Sequence, residues 1–277
     1  MKYGLFNVRK TRQSVRFLMF VIAMMDLGAN ALFAQNGTPS SKATADVSTL
    51  VKCNMTTAQV DDTTTLPASC VDLFTGAAQP VDPNGFVTIM QRTVKLSGSQ
   101  SLFVSPSLVT GLYTQTKTKT STGGISTAQA MGGVYLRAVL VDAGGHEIVA
   151  APLSYCNSGI LGCAQATNGD WGVLLDSRIQ TLSQELSNCV VNIALVGTGS
   201  CTFTSTIDLV LQTTSAHTFN FIFPNVGQGV YTLQVKAAVA SGASIVPGGS
   251  GTAVGAAAFG LGSMSVESVR LVHDFSF

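Results

Sequence analysis

Charge is what this chain has least of. Asp, Glu, Lys and Arg make up 10% of 277 residues, and the basic and acidic totals, 15 and 14, nearly cancel. No basic patch with interleaved aromatics exists, which excludes the electrostatic footprint of a nucleic-acid-binding protein. Tryptophan occurs once, at Trp171, and histidine three times, at His146, His217 and His273. No Cys-x-x-Cys occurs, so a zinc site of the finger or ribbon type has no ligand set. The only long apolar run, residues 17–25, is nine residues before Asp26, short of the roughly 20 that a membrane-spanning helix needs.

That run nevertheless has a meaning. Lys2, Arg9, Lys10, Arg12 and Arg16 precede it with no acidic residue, and Ala29, Ala31 and Ala34 follow it. A basic start, a short apolar stretch and small residues form an export signal, predicted here as residues 1–34 with cleavage after Ala34. Its removal takes the basic total to 10 and the acidic total to 13, leaving a mature chain about 3 negative. The polarity of such a surface must come from Ser, Thr, Asn and Gln. The reading is of a secreted, extracellular or cell-surface protein with no transmembrane segment in the mature chain.

All six cysteines lie beyond the signal, an even number in an oxidising compartment. Six cysteines allow fifteen pairings. Closeness in sequence favours three local staples, Cys53 with Cys70, Cys156 with Cys163, and Cys189 with Cys201.

Residues 35–47 are small and polar without a period, and are expected to be a flexible N-terminal segment. From residue 48 onward short runs rich in β-branched residues alternate with Gly, Asn and Pro, the pattern of an all-β domain. Residues 86–96 and 133–141 read as strands, the C-terminal hundred residues are the clearest β region, and 70–74 reads as a short strand. Residues 102–113 read as a strand pair broken at Pro106, and 114–129, rich in Thr, Lys and Gly, as a solvated loop or projecting hairpin end. In 177–186, Ile179, Leu182 and Leu186 recur at spacings of three and four, which predicts one short helical insertion. The expected fold is all-β: one antiparallel, jelly-roll-like β-sandwich over residues 48–277.

Candidate chemistry is thin. Asp61, Asp62, Asp72 and Asp82 lack the periodic spacing of a calcium loop and read as solvated turn carboxylates. Asp142, His146 and Glu147 gather the residue types of acid–base catalysis around the Gly144–Gly145 turn, without an assignable nucleophile. Asp170 and Asp176 are too weak a pair to read as a glycosidase site. Trp171 with Tyr155 or Tyr135 would suit stacking on a polysaccharide. Asn36 and Asn54 each begin an Asn-x-Thr acceptor pattern. No cofactor, metal or catalytic residue is expected. Export, cross-links, β content and scarce charge together fit a structural surface or matrix component. It would act as a homo-oligomer through sheet edges, with the N-terminal tail able to add a strand to a neighbour. A carbohydrate-binding module and a secreted hydrolase are the alternatives.

Overall fold

The computed structural model describes residues 43–74, 85–121, 124–156, 160–166, 168–186, 189–192, 198–201 and 204–269. They form fourteen strands: β1 (Ala43–Ser48), β2 (Lys52–Val60), β3 (Val87–Leu96), β4 (Gln100–Ser121), β5 (Ile125–Val141), β6 (Glu147–Val149), β7 (Cys163–Gln165), β8 (Trp171–Glu185), β9 (Cys189–Asn192), β10 (Thr198–Cys201), β11 (Thr204–Thr218), β12 (Phe221–Val226), β13 (Gly229–Ile245) and β14 (Ser250–Val269). Every pairing is antiparallel. The predicted signal lies outside the described residues, among which no helix is long and apolar enough to cross a membrane.

The first sheet runs β1-β14-β4-β11, with β2 beside β14 and β12 beside β4; the second runs β3-β13-β5-β8-β7, with β6 beside β5. The principal pairs are nested along the chain. β1 and β2 pair with β14, β3 with β13, β4 with β11, and β5 with β8. A long antiparallel ribbon wrapped in this way, its strands falling alternately into two sheets, is the topology of a jelly roll.

The nesting decides which residues meet in the middle. Side chains on a strand alternate between faces, so Leu102, Val104, Leu108 and Leu112 of β4 point inward together, opposite Val134, Leu136, Ala138 and Leu140 of β5. Leu233, Val235, Ala237 and Val239 of β13 complete the layer, and each large side chain buried there contributes about 1.5–3 kcal/mol. β14 reaches this core twice, through Ala257 and Phe259 and then through Met264 and Val266. The change from odd to even numbers needs one extra residue, and the register against β4 shifts between Gly260 and Gly262 to provide it.

At the other half the sheets come closer. A Cβ on Gly132 would lie 2.5 Å from the carbonyl oxygen of Ala256, and one on Gly255 would lie 2.3 Å from those of Gly242 and Met131. Backbone meets backbone there, so small side chains fill the adjoining space. Thr114, Thr116, Thr118 and Thr120 of β4 are buried, with Gln180 and Gln184 of β8 reaching across to them.

Several expectations need correcting. Residues 177–186 are not a helix: 177–185 continue β8, whose inward positions include Gln180 and Gln184 while Ile179 is 68% exposed. Residues 114–121 are not a loop but the end of a 22-residue strand, because alternating threonines turn inward while Gln115, Lys117 and Lys119 turn out. Pro106 does not break β4, as it sits within the ladder opposite Met264. Cys70–Asp72 is a 3-10 turn rather than a strand, closed by the Asp72 carboxylate accepting from the amides of Ala68 and Ser69. The flexible segment expected over 35–47 overlaps β1, which is tied down by its ladder to β14 and by the Asp46–Arg92 ion pair at 3.0 Å.

Candidate functional site

Two of the three expected disulfides are present, Cys53–Cys70 and Cys156–Cys163. For the third, the β9–β10 register sets Cys189 opposite Cys201, and their side chains lie outside the described set. The first staple holds the 70–74 turn over the outer face of the first sheet, where Phe74 rests on Gly111; a Cβ at Gly111 would be 2.8 Å from the ring. Beside it lies an apolar depression of about 360 Å³, bordered by Val51, Leu73, Val109, Gly260 and Leu261. Asn54 is buried within β2, opposite Ala257, which closes it to glycosylation in the folded chain; Asn36 lies outside the described residues.

The carboxylates of the sequence reading go to different places. Asp62 lies under Lys117 at 3.1 Å and accepts from Thr252 at 2.7 Å and Thr64 at 3.0 Å. The Thr252 hydroxyl, helped by Lys117 and Thr64, holds its carboxyl far below the usual range against the opposing effect of burial. Asp72 closes its 3-10 turn, Asp61 stands at the end of β2 with φ 48°, and Asp82 lies outside the described residues. Among the described residues, no three His, Cys, Asp or Glu side chains gather as a metal cage.

Asp142, His146 and Glu147 do not act together. Asp142 accepts from the amides of Gly144 and His146 at 2.8 and 2.9 Å and faces the His146 ring at 3.1 Å, in an exposed turn. Those bonds, the His146 amide first, lower its pKa, so it is a turn cap. Glu147 turns away to Arg137 at 2.6 Å and Lys236 at 2.7 Å. Asp170 joins the same guanidinium at 3.2 Å, and Arg137 also donates to the Trp171 carbonyl oxygen at 3.4 Å. This network ties Glu147 and Asp170 to Arg137 of β5, and Glu147 to Lys236 of β13.

The aromatic trio does not form one platform. Trp171 packs against the inter-sheet core, while Tyr135, between the inward Val134 and Leu136, occupies the opposite face of the second sheet. Tyr135 borders a recess of only about 40 Å³ with Phe86 and Gln165, and burial raises its hydroxyl pKa. Tyr155 is 48% exposed in the 3-10 turn after Pro152.

The fold assembles one cluster that the sequence hid. Asp176 of β8 accepts from Thr110 of β4 at 2.6 Å and faces His217 Nε2 of β11 at 3.3 Å; Ser215 Oγ lies 2.7 Å from that same nitrogen. A serine–histidine–carboxylate relay needs the acid on one ring nitrogen and the serine on the other. Here both sit at Nε2, so the carboxylate does not orient the ring for proton transfer. The cluster is a clasp joining three strands, and separations of 39 and 66 residues left no local motif to find it by.

The clasp leads to the most unusual surface of the molecule. β11 ends the first sheet: it pairs with β4 from Thr204 to Thr218, and among the described residues no strand occupies its other edge. Ile207, Leu209 and Leu211 lie on its inward face yet remain 42%, 41% and 43% exposed, and Val210 on the outer face is 48% exposed. The inter-sheet core thus reaches β11 half covered. Two backbone groups are satisfied from within: the Leu209 carbonyl oxygen accepts from Gln180 Nε2 at 2.8 Å, and that of Ser215 accepts from Thr110 Oγ1 at 3.4 Å. Asp208 and His217 are the only titratable residues on the strand.

No family model matches this chain, and no curated protein does. Among solved structures, a chain titled "Structure of infectious bursal disease virus Gx strain" aligns at 10% identity over 83% of this chain and 40% of its own, with a TM-score of 0.15. A chain of the Klebsiella pneumoniae type II secretion system outer membrane complex aligns at 9% identity over 62% of this chain and 41% of its own, with a TM-score of 0.10. This chain therefore spans about two fifths of each of those chains.

Proposed function

We propose that this protein is an exported structural unit, a disulfide-stapled jelly roll that associates with copies of itself through the edge of β11. The observation that carries the reading is the 15-residue outer strand exposed on both faces, with Ile207, Leu209, Val210 and Leu211 at its centre. Edge strands in solitary proteins are blunted by short length, lysine, proline or a covering loop, since an open ladder templates another strand. β11 contains neither Lys nor Pro. Sequence alone predicts strand addition by the N-terminal tail; among the described residues β1 and β2 pair with β14 of their own chain, which favours the β11 edge as the place of association.

The test is sedimentation velocity of the mature protein over a wide concentration range, beside Leu209→Lys. Leu209 is 41% exposed, so the lysine folds without a buried charge while blunting the edge. The wild type should shift to larger species with concentration and the variant should remain monomeric with an unchanged far-ultraviolet spectrum. A wild type monomeric throughout, or a variant that associates equally, overturns the reading.

A further inference from the structure

We infer that the partner at this edge is a second copy of the same strand, running antiparallel about a twofold axis at Val210. The inference rests on the edge reading above and fixes what that reading leaves open: symmetry and register.

A twofold axis perpendicular to the sheet keeps outer faces outer, so residues opposite each other must share a face. Their numbers then sum to an even value and the axis passes through a residue, which leaves few registers. An axis at Asp208 places two carboxylates against each other, which is repulsive. One at Leu209 sets Asp208 against Val210, and one at Gln212 sets it against Ala216. One at Leu211 sets Asp208 against Thr214 and sets Val210 against Gln212, dividing the apolar centre.

The axis at Val210 gives a different match. Val210 meets itself, Leu209 meets Leu211, Ile207 meets Thr213, Thr206 meets Thr214 and Ser205 meets Ser215. Asp208 meets Gln212, an acceptor against an amide. Gln212 Nε2 donates to the Leu73 carbonyl oxygen at 3.1 Å and has a second hydrogen free for the opposing carboxylate. Asp208 accepts from Gln115 at 3.1 and 3.2 Å, which leaves it lone pairs for that bond. On the inner face, Leu209 and Leu211 of each copy cover those of the other, so two half-covered cores become one.

Single cysteines at Thr206, Asp208, Val210, Gln212 and Thr214, all on the exposed outer face, read the register directly. Under mild oxidation with the native disulfides intact, two cysteines at the axis face each other at roughly 4.5–5.5 Å between Cα atoms. Cysteines two positions from the axis are separated by about 13 Å along the ladder, beyond the roughly 7 Å limit for a bond. Val210→Cys should give covalent dimer about tenfold faster than Thr206→Cys or Thr214→Cys. A maximum elsewhere on β11 in an associating protein overturns the register but leaves the edge reading standing. No cross-link at any of the five positions in an associating protein removes β11 from the interface, and a monomer at all concentrations overturns both.

Discussion

At Leu261 the backbone takes a φ of 44°, a region in which an L side chain with a Cβ is crowded by its own carbonyl. Leu261 is the extra residue of the β14 bulge, 67% exposed, so its side chain returns little packing for that strain. What the position does need is its existence. Without it the inward set would not change parity, and Met264 and Val266 would turn out of the core that Ala257 and Phe259 enter. Leu261→Gly should keep the bulge and relieve the strain, raising stability by roughly 0.5–1 kcal/mol after glycine's entropic cost. Leu261→Ala retains a Cβ and should gain nothing comparable. Urea midpoints compare the two, and a glycine variant no more stable than the alanine one sinks the argument.

Among the elements, β8 repays the closest reading. Its buried side chains Gln180 and Gln184 lie opposite the threonines of β4: Thr114 donates to Gln180 Oε1 at 2.7 Å, and Gln180 Nε2 donates to Thr116 at 2.6 Å and to the Leu209 carbonyl oxygen at 2.8 Å. One amide thus serves β4, β8 and β11. Gln180→Leu keeps the size but strands those partners away from water, and should lower the urea-derived stability by about 1–3 kcal/mol. A variant of unchanged stability would mean that water replaces the amide. The same arrangement explains what the sequence concealed. Where alternation was apolar against polar, as in β5 and β13, strands were legible. In residues 114–121 and 177–186 both faces are polar or the inward one is glutamine, so hydropathy has no period of two and the few apolar residues suggest loop or helix. Proximity along the chain predicts three cysteine staples; two are formed, and the side chains of the third pair lie outside the described set. The Asp176–Ser215–His217 clasp and the open β11 edge arise only from which strands become neighbours, and no spacing along the chain encodes that.

At the scale of the whole molecule, two buried or half-buried charge networks lie at opposite ends of the sandwich. Asp62 with Lys117 lies near the Val60 end of β2, and Glu147 with Arg137 and Lys236 lies near the Val141 end of β5. Burial works against ionising Glu147, but hydrogen bonds from Lys236 and Arg137 and their charges outweigh it and lower its pKa. Asp62 is lowered further, with its side chain only 7% exposed. Both carboxyls bind protons less readily folded than unfolded, where Asp and Glu titrate near about 3.9 and 4.3. Their contribution is therefore fully present above those values and is lost as pH falls through the folded ones. Stability measured by urea should be level from about pH 7 to 5 and decline steadily below about pH 4. Asp62→Asn should cost about 1–3 kcal/mol at pH 7, because Lys117 loses its partner and Thr252 its charged acceptor. The same variant should show a shallower acid decline, having nothing left to protonate at that end. If variant and wild type lose stability in parallel between pH 5 and 3, the acid response comes from elsewhere, and the Asp62 cluster is no more than a packed polar contact.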